Sequence, residues 1–490
     1  MSKNIANTAL NQDVQQLGYD RSQLKSKIVH LGFGAFHRGH QALITHEMLA
    51  QEKSDWGIFE INLFGGEALI TSLRAQDHQY SVSEMGASNT QVKVITSIVG
   101  SLHPELDGKE AVLSKMSEAQ VAIVSLTITE KGYCVDLGSS TLDVENALIK
   151  ADLKTPHAPS SAIGYIVEAL RRRKEKNIKA FTVMSCDNVQ ENGALTKIAV
   201  LSFARLLDKN LGQWIEDNVS FPCTMVDRIV PAVTEQTLTQ IESDLGVYDP
   251  CGIACEPFRQ WIIEDNFVNG RPNWNLAGAT FVENVIPFEE MKLRMLNGSH
   301  SFLAYLGYLG GYKHICDAMQ NEAYEKATLA LMLNEQAPTL NVPDGVDLEA
   351  YAHLLIARFK NPSLKHQTWQ IAMDGSQKLP PRMIHSLCVH LKNKSAHKAL
   401  ILGIAAWMRY VSCVDENKIS IDVKDPLLET FVGIYKERGL DKSVVKDLLA
   451  ISSIFPRELL RDEAFVNDLT NAFQLLLTEG AKSAVASLEG

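Results

Sequence analysis

The sequence predicts an α/β domain with a mostly parallel sheet over residues 1–287, followed by a largely α-helical domain over residues 288–490. The chain has 490 residues, which is too many for one ordinary hydrophobic core. Short β-type runs alternate with helical patterns in the first half, as in βαβ units. After about residue 288, helical patterns follow one another with few strand signals.

The composition excludes several classes of partner. The net charge of -11 argues against nucleic acid or an anionic membrane surface as the main partner. No apolar run approaches the roughly 18 to 20 residues needed to span a bilayer, and the polar N-terminus has no hydrophobic signal core. The eight cysteines are scattered and include no CxxC pair. We therefore expect a reduced, cytoplasmic protein that binds a small molecule, as a monomer or weak oligomer.

The first element is a β-type run, residues 27–31, followed by the glycine-rich stretch GFGAFHRG (32–39) and a helical pattern over residues 38–51. Strand, glycine turn and helix open a Rossmann-type dinucleotide-binding unit, in which the backbone approaches a pyrophosphate closely. An ordinary tight turn is the alternative. The candidate cofactor-binding residues here are Gly32, Phe33, Gly34, Ala35, Phe36 and His37.

Two features depart from the usual dinucleotide fingerprint. His37 occupies the third glycine position, and the second strand, residues 56–63, ends without a clear acidic residue for the ribose. Candidates for that acid are Glu60, Asn62 and Glu67. His37, His40 and His46 are predicted not to bind a metal, because the sequence places no carboxylate or thiolate beside them to complete a ligand set.

Further β-type runs cover residues 91–98, 121–128 and 178–185, and helical patterns cover residues 110–116, 161–174 and 193–207. Polar residues follow two of these strands, where the ligand crevice of an open parallel sheet lies. After the first come Thr127, Glu130 and Lys131, and after the second come Asp187 and Asn188. Turn chemistry and helix capping are the alternative for the second pair.

A β-type run over residues 279–286 leads into the helix-forming stretch MKLRMLNGSHSFLAYLGYLGG (291–311). At 100° per residue, Lys292, Asn297 and His300 share one broad face of a regular helix. Lys292 and His300 lie about 12 Å apart along the axis, so the group lines one wall of a site and needs partners from elsewhere. A solvated helix start with Glu289–Lys292 and Glu290–Arg294 pairs is the alternative.

These pieces favour hydride transfer between a nicotinamide and a secondary alcohol or ketone. Such a reaction needs a base and donors for the developing oxyanion. Lysine is the candidate base, because the sequence contains no zinc ligand set. Burial would lower its pKa from about 10.4 towards neutrality. Asn188 and Asn297 would then donate amide N–H groups, and His300 would orient the substrate.

Seven motifs together resemble the polyol-specific long-chain dehydrogenase/reductase family, also called the mannitol dehydrogenase family. They are HLGFGAFHRGHQ (30–41), SLTITEKGY (125–133), FTVMSCDNVQENG (181–193), TMVDRIVPA (224–232), CEPFRQWIIEDNFVNGRP (255–272), KLRMLNGSHSFLAYLG (292–307) and WQIAMDGSQKLP (369–380). The resemblance covers nearly the whole chain and implies an expanded Rossmann domain followed by a largely helical one.

The resemblance also implies roles for single residues. Lys292 matches the family's general acid/base, Asn188 and Asn297 its oxyanion pair, and His300 its substrate-orienting histidine. Glu289 matches a glutamate that gates proton exchange with solvent. The family's cofactor is NAD, with Thr127 and Glu130 among the cofactor residues, and it uses no metal. The motifs are most similar to those of members that reduce D-fructuronate to D-mannonate.

Other functions stay open on the sequence. A mannitol, other polyol or tagaturonate-type enzyme would keep the same catalytic set, and a non-catalytic nucleotide-binding regulator would keep only the fold. A sugar-acid substrate needs a local cation in so acidic a protein. We assign the substrate to Lys131, Lys378 and Asp227, with Arg259 and Arg382 as further candidate cations. A surface or structural role is the alternative for each cation.

Overall fold

The computed structural model describes residues 3–16, 18–136, 141–342 and 345–489. The chain forms two compact units, Met1–Ile286 and Pro287–Gly490. Within the described ranges, no helix has the length and apolarity to cross a bilayer. All eight cysteines are free thiols, and Cys251 and Cys255 are both buried.

The strands of the described residues all belong to the first unit. They are β1 (Gln15–Gln16), β2 (Lys25–Leu31), β3 (Trp56–Ile61), β4 (Tyr80–Met85), β5 (Thr90–Ile95), β6 (Ile98–Leu102), β7 (Ile123–Leu126), β8 (Val135–Asp136), β9 (Thr141–Leu142), β10 (Thr182–Ser185), β11 (Thr224–Asp227), β12 (Ile253–Cys255), β13 (Gln260–Glu264) and β14 (Ala279–Val282).

The principal sheet has five parallel strands in the order β10-β7-β2-β3-β6. From the central strand β2 the chain proceeds outward through β3 and β6 and then returns to the other side for β7 and β10. The order therefore reverses between β2 and β7, the position at which open α/β sheets bind their ligands. Leu31 of β2 pairs with Leu126 of β7, and Leu126 pairs with Ser185 of β10. The strands β2, β7 and β10 therefore end at the same level of the sheet.

The other strands form smaller sheets that the sequence did not predict. β1, β5, β4 and β12 form a mixed sheet, β11, β13 and β14 form another, and β8 pairs with β9. The predicted strand over residues 91–98 was wrong in extent, because β5 ends at Ile95 and β6 begins at Ile98. The predicted strand over residues 279–286 ends early, at Val282.

The helices of the first unit cover most of the chain between the parallel strands. They are α1 (Ala35–Gly39), α2 (Gln41–Gln51), α3 (Glu67–Ala75), α4 (Pro104–Asp107), α5 (Lys109–Met116), α6 (Thr129–Gly132), α7 (Ala147–Lys154), α8 (Ala162–Glu175), α9 (Asn192–Leu207), α10 (Lys209–Asn218) and α11 (Glu235–Leu245), with 3₁₀ turns at Arg21–Gln23 and Trp274–Ala277.

Both faces of the parallel sheet are covered. Val29, Leu31 and Val124 lie in one hydrophobic core together with residues of α5, α8 and α9. Ile28 and Ile123 point to the opposite face and pack in a second core with α2. Since successive side chains of a strand alternate between faces, each buried strand contributes to both cores. The predicted mostly parallel α/β fold is confirmed.

The second unit is helical, as predicted. Its α-helices are α12 (Ile286–Met291), α13 (Ser299–Leu309), α14 (Ile315–Ala318), α15 (Glu322–Ala330), α16 (Leu348–Phe359), α17 (Thr368–Ala372), α18 (Gly375–Leu379), α19 (His385–Asn393), α20 (Lys398–Tyr410), α21 (Leu428–Arg438), α22 (Val444–Leu449), α23 (Glu463–Thr478) and α24 (Gly480–Ala486). Three 3₁₀ turns cover Ala337–Thr339, Leu459–Arg461 and Ser487–Glu489. One continuous core, with α13 and α20 at its centre, holds these helices together.

Among the described residues of the second unit, three segments are π-helical: Lys292–Gly298, Leu331–Gln336 and Pro380–Ile384. The regular α-helix expected from residue 291 is therefore wrong over its first two turns. A π-helix bonds residue i to residue i+5, is rare, and frequently lies at a functional site. The first and third segments pack together at Gly298, where an added Cβ would lie 2.5 Å from the carbonyl oxygen of Arg382.

Candidate functional site

The glycine turn follows β2 at the point where the strand order reverses. Gly32 has φ +115°, and an added Cβ would lie 2.2 Å from the carbonyl oxygen of Thr127. Only glycine fits there, so the turn packs directly against the end of β7. Gly34 is different, because its Cβ position faces open space and the residue is exposed. The structure thus leaves room for a ligand at Gly34 and none at Gly32.

The helix after this turn is shorter than predicted. α1 begins three residues earlier than expected and ends at Gly39, and His40 (φ -127°, ψ -93°) separates it from α2. Ala35 and Phe36 are partly exposed, and Phe33 is buried with its backbone N–H bonded to Asn62 Oδ1 at 3.2 Å. The first N–H groups of a helix have no acceptor within it, which is the arrangement that binds phosphate in dinucleotide sites.

His37 points into the interior of the first unit. Its Nε2 lies 2.6 Å from Oε1 of Glu60, and both side chains are fully buried. Burial raises the pKa of Glu60 to about 8 and lowers the pKa of His37 to about 3. At pH 7 the pair is therefore uncharged, with the proton on the Glu60 carboxyl. Glu60 cannot contact a ribose, which corrects one of the three candidates for that acid.

His30 completes this buried network. Its ring stacks on that of His37 with centroids 3.4 Å apart. Its Nδ1 lies 2.8 Å from Ser125 Oγ and its Nε2 lies 2.9 Å from Thr127 Oγ1. The possible ligand atoms of His30, His37 and Glu60 lie within 4.8 Å of one another. The sequence argument that no carboxylate lies near His37 was thus wrong, although both ring nitrogens of His30 already have partners.

The ends of β7 and β10 are joined by Asp187. Its carboxylate accepts the backbone N–H groups of Ile128 and Thr129, each at 3.0 Å, and the hydroxyl of Tyr133 at 2.6 Å. Thr129 adopts φ +63°, which is strained for a β-branched residue and recurs at functional sites. Asp187 therefore shapes the crevice. Asn188, the next residue, is exposed.

The remaining predicted residues of the first unit lie in different settings. Thr127 is partly exposed, and its hydroxyl donates to the carbonyl oxygen of Gly32 at 2.9 Å. Glu130 and Lys131 are exposed on the short helix α6. Asp227 is buried at the end of β11, in the sheet formed with β13 and β14 rather than in the parallel sheet. The crevice at the strand ends thus brings together Gly32, Thr127 and Asp187.

The predicted catalytic residues of the second unit lie together on one buried segment. Glu289 belongs to α12, Lys292 and Asn297 belong to the first π-helix, and His300 lies in the first turn of α13. All four are buried, which is unusual for residues of these types. Glu290 and Arg294, which the alternative interpretation of a solvated helix start had paired, form an i,i+4 pair at 3.5 Å.

His300 lies among aromatic and cationic groups. Its ring centroid is 4.5 Å from that of Phe359 and 5.1 Å from that of His366. Burial holds the pKa of His300 well below 6.5, and His366, Arg382 and Arg358 lower that pKa further. The ring is therefore a neutral imidazole at physiological pH, able to donate one hydrogen bond and accept another.

Lys378 lies on α18, and Arg382 lies on the π-helix Pro380–Ile384 that follows it. The Lys378 ammonium donates to the carbonyl oxygen of Met373 at 2.6 Å. Burial, and to a lesser extent Lys378, lowers the pKa of His366 to about 4. The Arg382 guanidinium donates to Ser301 Oγ at 3.1 Å. Sequence reasoning missed Arg358 and His366, which act on His300 from α16 and from the segment after it. No motif at residues 358–366 signals their proximity to residue 300.

Comparison with known proteins decides the family. The chain matches the model of the mannitol dehydrogenase Rossmann domain over residues 26–276 and that of the mannitol dehydrogenase C-terminal domain over residues 284–477. The chain belongs to the mannitol dehydrogenase family. The expected family and its oxidoreductase class are thereby confirmed.

Individual members of the mannitol dehydrogenase family match over almost their whole length. D-mannonate oxidoreductase of Escherichia coli (strain K12) is 59% identical over 481 residues, which is 98% of this chain and 99% of that protein. The ternary complex of Pseudomonas fluorescens mannitol 2-dehydrogenase with NAD and D-mannitol has a TM-score of 0.86 at 35% identity, covering 98% of this chain and 97% of that one. A substrate-free D-sorbitol dehydrogenase has a TM-score of 0.89 at 33% identity, covering 97% and 98%.

Proposed function

We propose that this protein catalyses the NADH-dependent reduction of D-fructuronate to D-mannonate without a metal. The observation that carries the proposal is the buried segment on which Lys292, Asn297 and His300 lie together beside cationic side chains. Lysine, amide and neutral imidazole groups suit carbonyl reduction, and the cations suit an acidic substrate. The similarity to a D-mannonate oxidoreductase supports the same substrate class.

We assign NAD to the first unit, because NAD is bound in the mannitol 2-dehydrogenase complex and the local geometry suits it. The open space at Gly34 gives the cofactor's pyrophosphate access to the backbone. Gly32, Phe33, Gly34, Ala35 and Phe36 would hold the pyrophosphate, with Thr127 and Glu130 beside it. His37 would contribute through its backbone alone, because its ring is bonded to Glu60.

The reaction adds a hydride to the carbonyl carbon and a proton to its oxygen. When bound, NADH supplies the hydride. The Lys292 ammonium donates the proton, and Asn188 and Asn297 donate amide N–H groups to the same oxygen as negative charge develops on it. His300, neutral at pH 7, orients a substrate hydroxyl. Glu289 passes a proton between solvent and Lys292, and Lys131, Lys378 and Asp227 contact the substrate.

The test measures NADH consumption by the purified protein in the presence of a chelator, with D-fructuronate and D-fructose compared side by side. We expect turnover of D-fructuronate with a much higher kcat/KM than that of D-fructose, and no loss of activity in the chelator. Preference for D-fructose would move the protein to the polyol-oxidising members. Loss of activity in chelator, restored by a metal, would contradict the lysine mechanism and point to the cluster of His30, His37 and Glu60.

A regulator without catalytic activity is the competing class. It would bind NADH and turn over neither substrate. Binding of NADH without turnover of any sugar acid or ketose would therefore favour that alternative.

A further inference from the structure

The guanidinium of Arg382 is nearly without acceptors. Its Nη1 donates to Ser301 Oγ at 3.1 Å and reaches the carbonyl oxygen of Asn297 only at 3.5 Å. A guanidinium has five N–H donors, and within the described ranges Nε and Nη2 of Arg382 have no partner. No carboxylate of the described residues pairs with it, and the side chain is still partly exposed. A ligand can therefore reach the unused donors.

Two buried arginines, Arg228 and Arg173, have more acceptors than the partly exposed Arg382. Arg228 bonds to Glu84 and to the carbonyl oxygens of Gly39 and Glu256. Arg173 directs its donors to the carbonyl oxygens of Lys179 and Glu118. At both of these arginines the fold supplies an acceptor for Nε, Nη1 and Nη2, and it does not do so at Arg382.

Cationic side chains lie close to His300 in the same part of the second unit as Arg382. His300 is influenced by Arg382, Arg358 and His366, and each of these lowers the histidine's pKa. Burial lowers the pKa of Arg382 itself to about 10. Like charges held together in a poorly solvated place favour the binding of an anion.

We propose that Arg382 binds the carboxylate of the sugar-acid substrate and thereby sets the enzyme's preference for an acid over the corresponding polyol. This inference rests on the proposed function, because it names the group that selects the substrate. A planar carboxylate accepts two parallel hydrogen bonds from a guanidinium, and Nε and Nη2 are free for such a pair. Arg382 takes the carboxylate role for which Lys131 was a candidate.

The experiment compares two ligands that differ only where a carboxylate replaces a hydroxymethyl group. D-mannonate and D-mannitol are titrated calorimetrically into the protein saturated with NAD, and kcat/KM is measured for D-fructuronate and D-fructose. For the unaltered protein we expect tighter binding of D-mannonate. Arg382→Gln should weaken D-mannonate binding about 10- to 100-fold and leave D-mannitol binding nearly unchanged. Arg382→Lys should restore part of the difference, since it keeps the charge without the bidentate geometry.

Two matched variants separate recognition from structure. Ser301→Ala removes the hydroxyl that Arg382 donates to but keeps the guanidinium, so the preference for the acid should persist. Lys131→Ala should lower the binding of both ligands to a similar extent or of neither. If Arg382→Gln weakens both ligands equally, Arg382 only supports Asn297 and the inference is wrong. It is also wrong if Lys131→Ala alone abolishes the preference.

The outcomes also distinguish this inference from the proposed function. Preferential binding of D-mannonate that depends on Arg382, without turnover of D-fructuronate, would keep the inference and refute the proposed reaction. Turnover of D-fructuronate with a preference that survives Arg382→Gln would keep the reaction and refute the inference. Equal binding of D-mannonate and D-mannitol by the unaltered protein would refute it as well.

Discussion

In the first unit, the buried carboxyl of Glu60 meets His37 at 2.6 Å, and desolvation leaves both groups uncharged. In the second unit, the guanidinium of Arg382 stays charged near neutral pH and finds one hydroxyl and one distant carbonyl. Buried groups are normally neutralised or paired within the protein. The Glu60–His37 pair of the first unit is therefore neutralised within the protein, whereas the guanidinium of Arg382 in the second unit is left for an anion from outside.

The largest expected effect is a loss of kcat, and it tests whether the catalytic proton donor lies in the second unit. Lys292→Ala should lower kcat about 10²- to 10⁴-fold, because it removes the proposed proton donor. Turnover is measured by NADH absorbance, and NADH binding by fluorescence titration should be unchanged. Lys446→Ala, at an exposed lysine on α22, is the matched control and should keep full activity. A Lys292→Ala enzyme with kcat near that of the unaltered protein would refute the proposed role.

Gly32 and Gly34, the two glycines of the turn after β2, provide a sharper contrast. Gly32→Ala should destabilise the first unit by about 1–3 kcal/mol from its positive φ alone, and by more because its Cβ would meet the Thr127 carbonyl. Gly34→Ala should leave stability nearly unchanged and weaken NADH binding instead, because its Cβ would enter open space. Urea unfolding and NADH titration measure the two effects. Equal losses of stability in both variants would contradict this division of roles.

The neutral state of the Glu60–His37 pair predicts a pH dependence of stability. The pKa of Glu60 rises from 4.5 to about 8 on folding, so the folded state keeps a proton that the unfolded chain has lost. Its stabilising contribution is complete below pH 4.5 and is lost as the pH rises towards 8, by at most about 1.4 kcal/mol per pH unit. His37 acts in the opposite direction, since its lowered pKa costs stability only below pH 6.5.

Urea unfolding between pH 6.5 and pH 8 isolates the Glu60 contribution, because His37 does not titrate there. Glu60→Gln keeps a hydrogen-bond donor for His37 and cannot ionise, so its free energy of unfolding should fall less steeply with pH than that of the unaltered protein. Equal slopes for the two proteins would mean that Glu60 is ionised in the folded state and that the pair is an ion pair.

The smallest expected effect concerns His300. Its pKa lies well below 6.5, so the ring is neutral in both the free and the working enzyme at neutral pH. His300→Asn should lower kcat/KM about tenfold, the contribution of one hydrogen bond. The loss should be the same at every pH from 6 to 8. An inflection near pH 6.5 in the unaltered protein that disappears in His300→Asn would show a charged histidine.

The order of strand, glycine turn and helix was predictable because its signals are local in sequence, within residues 27–51. The joining of Lys292, Asn297 and His300 on one segment was predictable for the same reason. The partner of His37 was not, because Glu60 lies 23 residues away on the neighbouring strand and became visible only once β2 and β3 were paired. The environment of Arg382 depends on a contact across 81 residues.

The π-helical turns were also beyond sequence reasoning. Over the seven residues of Lys292–Gly298, an apolar pattern fits i→i+5 bonding as well as i→i+4 bonding. The close packing at Gly298 could not be predicted, because the Asn297–Gly298 pair indicates only a helix break in the sequence. The short additional strands around the parallel sheet, such as β12 with three residues, have too few side chains to show a period.

The π-helical segment Lys292–Gly298 has a consequence for changes in chain length. A surface loop absorbs the loss of a residue easily, but here the i→i+5 bonding brings Lys292 and Asn297, which are five residues apart, one turn from each other. In a regular α-helix the same two side chains would point about 140° apart. The number of residues between these two side chains is therefore as strict a requirement as their identities, and engineered or recombined variants must keep that spacing.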